Sequence, residues 1–419
     1  MRIERLSNPD AATVRALWPP TPNVEDDVRA ILEQVRDGGD AALRELAERF
    51  DPAGIAPDRL AVPTQEIEGA LGWAEPGILA SLRLAIDNVK AVADAQVERG
   101  ASVEVADGQY IDIVDVPVRR AGAYVPAGRA PYPSTVIMCA VTARAAGVHE
   151  IAVCAPPSVA DARVHPMILA ACALCGVSEV YRVGGAQAIA ALAYGTESIR
   201  PVDVIVGPGS PYVQEAKRQV SGMVGIDSIA GPSELVVVAT DDADPQLIAL
   251  DLLAQAEHGP DSAVAIISNN ALLVDMVVEA VKRLGAERPS ATDARLAAIE
   301  MPDALAAVKL ADALAPEHLQ LVGDEAEDEV ELVTRAGCIF LGEMSATAFG
   351  DYVAGSNHVL PTGGAARFAS ALSPRTFRRR MARVSLTDEA AARLAPHGAA
   401  IAQSEGFPVH GESMERRRT

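Results

Sequence analysis

EIAVCAPPSVADARVHPMILAACALCGVSEVYRVGGAQAIAALAYG, residues 150–195, alternates two textures. EIAVCAPP and EVYRVGG are short aliphatic runs ending in Pro or Gly, whereas MILAACALCG and AQAIAALAYG are longer and rich in Ala and Leu. Short apolar runs closed by turn residues suit strands, and the Ala-rich runs suit helices. The alternation continues through VDVIVGPGS (202–210), YVQEAKRQV (212–220), IDSIAG (226–231) and ELVVVAT (234–240). Such repetition predicts βαβ units, hence a parallel sheet with right-handed crossovers.

Downstream, DPQLIALDLLAQAEH (244–258) predicts a helix with Asp244 as N-cap and Pro245 in its first turn. It leads into a strand, SAVAIIS (262–268), and CIFLG (338–342) reads as another buried strand. Upstream, residues 21–100 carry a helical period with charged faces and glycine caps at Gly38, Gly39 and Gly100. After about residue 373 the pattern fades into helices and a polar tail, which has little core of its own and must dock on its own body or a neighbour.

A chain of 419 residues exceeds one ordinary core and suggests two or three domains. With 49% hydrophobic residues but only 4% aromatics, its apolar mass is aliphatic, as a parallel α/β architecture prefers. A formal charge of -21 argues against a nucleic-acid partner, because neutralising phosphates needs a basic face. The one basic cluster, Arg375, Arg378, Arg379, Arg380 and Arg383, is expected on a solvated or subunit-contacting helix face. MRIERLSNPDAATV has no signal-peptide core, and no apolar run reaches the ~18 residues of a membrane span. Five cysteines, an odd number, point to a reducing compartment and so to the cytoplasm. Cys172 and Cys175 fall on an apolar helical run and read as core packing, since no second pair completes a metal site.

Four glycine-rich turns follow expected strand ends: YVPAGRAPYPS (124–134), VGGAQA (183–188), VGPGSPY (206–212) and AGPSE (230–234). Glycine lets the backbone approach a ligand, and the helix N-termini beyond offer free N–H groups. No G-x-G-x-x-G occurs, so the usual dinucleotide fingerprint is missing, yet four such turns together predict a ligand crevice. Four of the seven histidines, His258, His318, His358 and His410, sit near carboxylates or glycines and outside any obvious apolar stripe. Gln255 and His258 stand three apart at a helix end, which is either a metal-binding pair or the polar finish of an amphipathic helix.

The motifs YVPAGRAPYPSTVIM, VGGAQAIAALAYGTES, VGPGSPYVQEAKRQV, GIDSIAGPSEL, DLLAQAEHGPDS, APEHLQL and GDYVAGSNHVLPT resemble, in order and spacing, those of the histidinol dehydrogenases. The resemblance runs from about residue 25 to His410, nearly the whole chain. It implies two intertwined, incomplete Rossmann-like domains, the metal and substrate domain from 21–123 with 234–372 and the NAD domain from 124–233. Residues 1–20 and 373–419 are then small helical extensions, the latter an arm exchanged between the subunits of a homodimer. It further implies oxidation of L-histidinol to L-histidine through the aldehyde with two NAD+, the last step of histidine biosynthesis. One zinc per subunit falls on Gln255, His258, Asp351 and His410, which also hold the substrate. His318 matches the base that takes the alcohol proton, and Glu317 the group that activates water against the aldehyde. Ser233 and Glu405 match further substrate contacts, and Tyr124, Gln187 and Ser210 match NAD contacts.

Two positions depart from the family pattern: Ser210 stands where Asn is usual, and Ala127 where a second Gly is usual in YVPAGR. Ser356 replaces a common Pro in SNHVLP. A serine has a shorter reach and one hydroxyl in place of an amide, which bears on the cofactor contact. The alternative is a zinc- and NAD-dependent paralogue acting on another small polar alcohol, such as a sulfonated diol. A carboxylate at Glu405 suits a cationic amino alcohol and repels a sulfonate. A zinc hydrolase leaves the nucleotide-like turns idle, and a silent homologue leaves the Glu317–His318 pair unexplained.

Overall fold

The computed structural model describes residues 1–20, 22–51, 54, 56–127, 130–157, 162–291 and 294–418. Thr21 and Thr419, which bound expected segments, and Gly128 and Arg129 of the YVPAGR turn lie outside the described residues.

Strand β1 (Arg2–Ser7) opens the chain, and β2 (Ala101–Ala106) and β3 (Gln109–Pro117) form an antiparallel hairpin. Next come β4 (Arg120–Tyr124), β5 (Glu150–Ala155), β6 (Glu179–Arg182), β7 (Val204–Val206) and β8 (Gly225–Ile226), which make a parallel sheet in the order β6-β5-β4-β7-β8. Then β9 (Glu234–Ala239), β10 (Ala263–Ser268), β11 (Arg295–Glu300), β12 (His318–Val322) and β13 (Cys338–Leu341) join β1 in a second parallel sheet, ordered β1-β11-β10-β9-β12-β13. Finally β14 (Arg378–Leu386) pairs antiparallel with β3. The class is α/β with parallel sheets, as the alternation at 150–195 predicts.

Both parallel sheets are covered on both faces. Helices Pro133–Ala145 and Pro166–Leu174 cover one side of the five-stranded sheet, and Gly185–Tyr194 and Pro211–Val220 the other. Helices Pro245–Ala256 and Ala271–Gly285 lie on one side of the six-stranded sheet, and Ala304–Leu314 on the other. Strands β9 and β10 are therefore buried at every position, and their runs read as unbroken aliphatics rather than alternating ones. Asp244 caps its helix as expected, accepting from the Gln246 amide. The CIFLG segment is only half-buried, because β13 is the sheet's edge strand.

The helix Glu25–Phe50 breaks at Gly39 (φ 54°, ψ -136°), and Gln34 on one arm donates to Glu45 on the other at 3.1 Å. Only glycine takes that backbone conformation without strain. Val28, Leu32, Leu43 and Leu46 of this hairpin pack with Ile189 and Val213, on the five-stranded sheet. The helices of 25–95 pack on the side of the five-stranded sheet, β4 to β8, whereas residues 1–20 contribute β1 to the six-stranded sheet.

The arginine cluster corrects the expectation of a helix face. Arg378, Arg379, Arg380 and Arg383 lie on β14, which is exposed on nearly its whole length. Arg380 forms a two-pronged pair with Asp115 (2.9 Å each), and Arg378 donates to the Ala146 and Asp115 carbonyls. Helices Asp388–Ser404 and Pro408–Glu415 pack on each other beyond it. All five cysteines are free thiols, Cys172 fully buried, and no described helix is long and apolar enough to cross a membrane.

Candidate active site

A cleft of about 1090 Å3 opens between the C-terminal strand ends of the five-stranded sheet and the start of β12. It is where an open parallel sheet gathers ligands. Tyr124, Gln187 and Ser210 line one part, and Ser233, His258, Glu317, His318 and Asp351 line another.

Glu317 and His318 stand at the mouth of β12, against the first residue of β9. Glu317 Oε2 accepts from the Ser233 hydroxyl (2.6 Å) and the Glu234 amide (2.8 Å), and its own amide donates to Glu234 Oε2 (3.2 Å). Gln255 lies beneath, its Nε2 donating to Ser233 Oγ at 2.8 Å, so a chain of hydrogen bonds runs from Gln255 through Ser233 to Glu317. His318 Nδ1 is 3.0 Å from the Glu234 carbonyl oxygen, an acceptor. That contact assigns the ring proton to Nδ1 and leaves Nε2 with its lone pair. His318 is an interior strand residue, 3% exposed, which corrects its expected place outside the apolar core.

Asp351 lies across from both imidazoles, Oδ1 3.8 Å from His318 Nε2 and Oδ2 3.9 Å from His258 Nε2. Burial pushes its carboxyl up, but His258 and the charges of His318 and His358 outweigh that and hold it below the usual range. The contact with Asp351 raises His258 in turn. His358 donates through Nδ1 to the Asp351 backbone oxygen (2.9 Å), and burial lowers its basicity.

On the cofactor-like side, the Tyr124 hydroxyl accepts from the Gly185 amide at 3.1 Å, and burial pushes its pKa up to about 12. Gln187 is buried in the first turn of its helix, and Ser210 is the N-cap residue of Pro211–Val220. Gly207, three residues before Ser210, has φ +117°, and a Cβ there would run into the Tyr124 backbone carbonyl oxygen.

Of the expected site residues, Gln255, His258, Asp351, Ser233, Glu317, His318, Tyr124, Gln187 and Ser210 are on or just behind this cleft. Glu405 and His410 are not. Glu405 ends helix Asp388–Ser404, and His410 is exposed on Pro408–Glu415 with its ring 5.4 Å from Phe407. Among the described residues, no group of three His, Cys, Asp or Glu is arranged to hold a metal. The donor set still fits one in part: two zinc ligands at 2.1 Å in a tetrahedral shell lie about 3.4 Å apart, close to the 3.9 Å between His258 and Asp351.

Three cleft features escaped the sequence reading. Lys217 is 1% exposed, pairs with Asp227 and donates to the Gly207 carbonyl at 3.0 Å, while Asp227 accepts from the Gly207 amide at 2.7 Å. The signal was there, because Lys217 occupies the apolar stripe of Val213, Ala216 and Val220. Glu234, first residue of β9, accepts from the Gly363 amide (2.9 Å); burial first and then the Glu317 charge push its pKa up to about 8. Asp51 ends the helical hairpin with its side chain on the cleft, and no sequence signal marked it.

Comparison with known proteins agrees with this architecture. The family model described as histidinol dehydrogenase matches residues 20–418. A histidinol dehydrogenase of Gluconobacter oxydans is 42% identical over 401 residues, spanning 94% of this chain and 93% of that one. One from Methanothermobacter thermautotrophicus is 43% identical over 93% of this chain and 92% of its own. The crystal structure of histidinol dehydrogenase from Elizabethkingia anophelis superposes with a TM-score of 0.92 at 30% identity, covering 99% of this chain and 97% of that one. A match over the whole length, with the Glu-His pair and its Ser-Gln support in one cleft, means that this chain belongs to the histidinol dehydrogenase family.

Proposed function

We propose that the protein oxidises L-histidinol to L-histidine through the aldehyde, reducing two NAD+ in the cytoplasm as the last step of histidine synthesis. The observation that carries it is the Glu317–His318 pair, the one fixed by the backbone amide of Glu234 and the other by its carbonyl, at a cleft whose other wall is built of glycine turns. His318 Nε2 accepts the alcohol proton while the carbon hydride passes to the nicotinamide, giving the aldehyde and the first NADH. Glu317, steadied through Oε2 by two donors, then draws a proton from water attacking the aldehyde carbon. The resulting hydrate gives up the second hydride and leaves as the acid. Tyr124, Gln187 and Ser210 hold the cofactor.

Gln255, His258 and Asp351 would hold one zinc ion, with His410 as the fourth ligand. When bound, the metal fixes the amino and imidazole nitrogens of the substrate and orients its alcohol carbon. A neutral Gln oxygen and two neutral imidazoles leave such an ion with net positive charge. Gln255 donates through Nε2 to Ser233, which leaves its carbonyl oxygen for a ligand.

His410 and Glu405 reach this cleft from a second copy of the chain. The support is surface: the chain exposes 19635 Å2, whereas a compact 43.7 kDa protein exposes about 15,000 Å2. The surplus sits partly on the arm, where Ile401, Phe407 and Val409 are more than half exposed. Such a surface needs a partner.

The test is the yield of NADH from zinc-loaded protein given limiting L-histidinol and excess NAD+. Two NADH per histidinol supports the proposal. Activity only on another polar alcohol, which the Ser210 position keeps in view, supports the paralogue, and no NADH from any alcohol sinks both.

A further inference from the structure

Among the described residues, every other buried carboxylate on the cleft has donors: Asp227 has Lys217 and two amides, and Glu317 has Ser233 and the Glu234 amide. Asp51 is the exception. It is 9% exposed, lines the cleft, and has no hydrogen-bond or ionic partner for its carboxylate among the described residues. It also sits just past the C-terminal end of a helix, where a negative charge is unfavourable. An unpaired buried carboxylate is costly and persists where something else satisfies it.

The position says what that is. Asp51 lines the same cleft as Tyr124, Gly184 and Gly185, near enough for its charge to act on the Tyr124 hydroxyl, and the half-exposed Phe50 beside it carries the Arg49 guanidinium over its ring at 4.7 Å. Dinucleotide folds set an acid at the end of the second strand of the unit to receive ribose hydroxyls. Here that strand is β5, whose described end, Ala155-Pro156-Pro157, carries none. Asp51 offers such a carboxylate from the neighbouring helical hairpin. Among the described residues lining the cleft, the only lysine or arginine is Lys217, already committed to Asp227.

We propose that Asp51 accepts hydrogen bonds from the vicinal hydroxyls of the adenosine ribose, and that it thereby selects NAD+ against a cofactor carrying a 2′-phosphate. The inference rests on the NAD+ reading above. A 2′-phosphate would replace a hydroxyl donor with a dianion facing the Asp51 carboxylate.

The experiment uses the full-length, zinc-loaded enzyme and two variants, Asp51→Asn and Asp51→Ala. Binding of NAD+ and NADP+ is measured by calorimetry without substrate, and KM is measured for each cofactor and for histidinol. The expected result is NAD+ affinity down about tenfold or more in both variants, a preference for NAD+ over NADP+ reduced by a similar factor, and an unchanged KM for histidinol. A preference within twofold of the wild type overturns the proposal. So does a change in KM for histidinol with NAD+ affinity intact, which would assign Asp51 to the substrate. Calorimetry reads the outcome even if histidinol is not oxidised, so failure of the activity and failure of the cofactor contact are told apart. Both variants lose an unpaired charge, and a thermal melt at least as high as the wild type's confirms that the fold is retained.

Discussion

Lys217→Met tests how the cofactor side of the cleft is held. The ammonium is 1% exposed and makes two contacts, to Asp227 and to the Gly207 carbonyl. Asp227 grips the other end of the same residue through the Gly207 amide at 2.7 Å and also accepts from the Ser228 amide. Removing the lysine leaves a carboxylate that is 4% exposed with backbone donors but no counter-charge. Breaking a buried pair on one side costs about 3–5 kcal/mol, a large part of the roughly 5–15 kcal/mol by which a domain is stable. Lys217→Met/Asp227→Asn removes both charges yet keeps an oxygen for the Gly207 amide, so it should cost about 2 kcal/mol less than the two single changes summed. Urea unfolding at one protein concentration measures this, because an oligomer's midpoint moves with concentration. The KM for NAD+ should rise in the single variant, as the turn three residues before Ser210 relaxes. A Lys217→Met protein within about 1 kcal/mol of the wild type, or a strictly additive double variant, refutes the clamp.

Gly207→Ala should destabilise by about 2 kcal/mol or more, since φ is +117° and the new Cβ would run into the Tyr124 backbone carbonyl oxygen; an unchanged melting temperature contradicts that geometry. Burial raises Asp51 from 3.8 to about 6, so the folded state binds its proton more tightly than the unfolded one. Wild-type stability should therefore fall as pH rises from about 4 to 6 and remain lower above, by up to about 3 kcal/mol. Urea midpoints for Asp51→Asn should not share that fall, and parallel curves would count against the raised value. Glu317→Gln should slow oxidation of the aldehyde more than that of the alcohol, and equal losses in the two half-reactions argue against water activation. His258→Ala should bind little zinc by elemental analysis, and a full complement in that variant removes it from the ligand set.

The parts of the fold that were legible share one property. Where strands are buried on both faces, as in β5, β9 and β10, the sequence is a bare aliphatic run closed by a turn, and its reading is direct. β12 hides because His318 and Gln320 interrupt it; both are polar groups buried inside a sheet, His318 bonded to the Glu234 carbonyl and Gln320 donating through Nε2 to Asp251. β14 was mistaken for helix because it is wet on both sides, and exposure erases the two-residue period that would betray a strand. In the site, local sequence reveals candidates but not partners. Gln255 and His258 lie about a hundred residues before Asp351, so only the resemblance could group them. Lys217 is a lone charge on an apolar stripe and Asp51 lies in no motif, and the role of each is visible only once burial and neighbours are known.

The exchange between Glu234 and Glu317, each carboxylate taking the other's backbone amide, acts as a key between two adjacent strands. His318 is in register with Leu235, so the Glu317–His318 pair is set by how β9 and β12 align. A slip of one residue would turn Glu317 and His318 to opposite faces and break both amide contacts at once. Chemistry and strand alignment are thus one specification: a single-residue insertion or deletion ahead of β12 cannot be absorbed as a small loss of rate. This joint accepts a single setting.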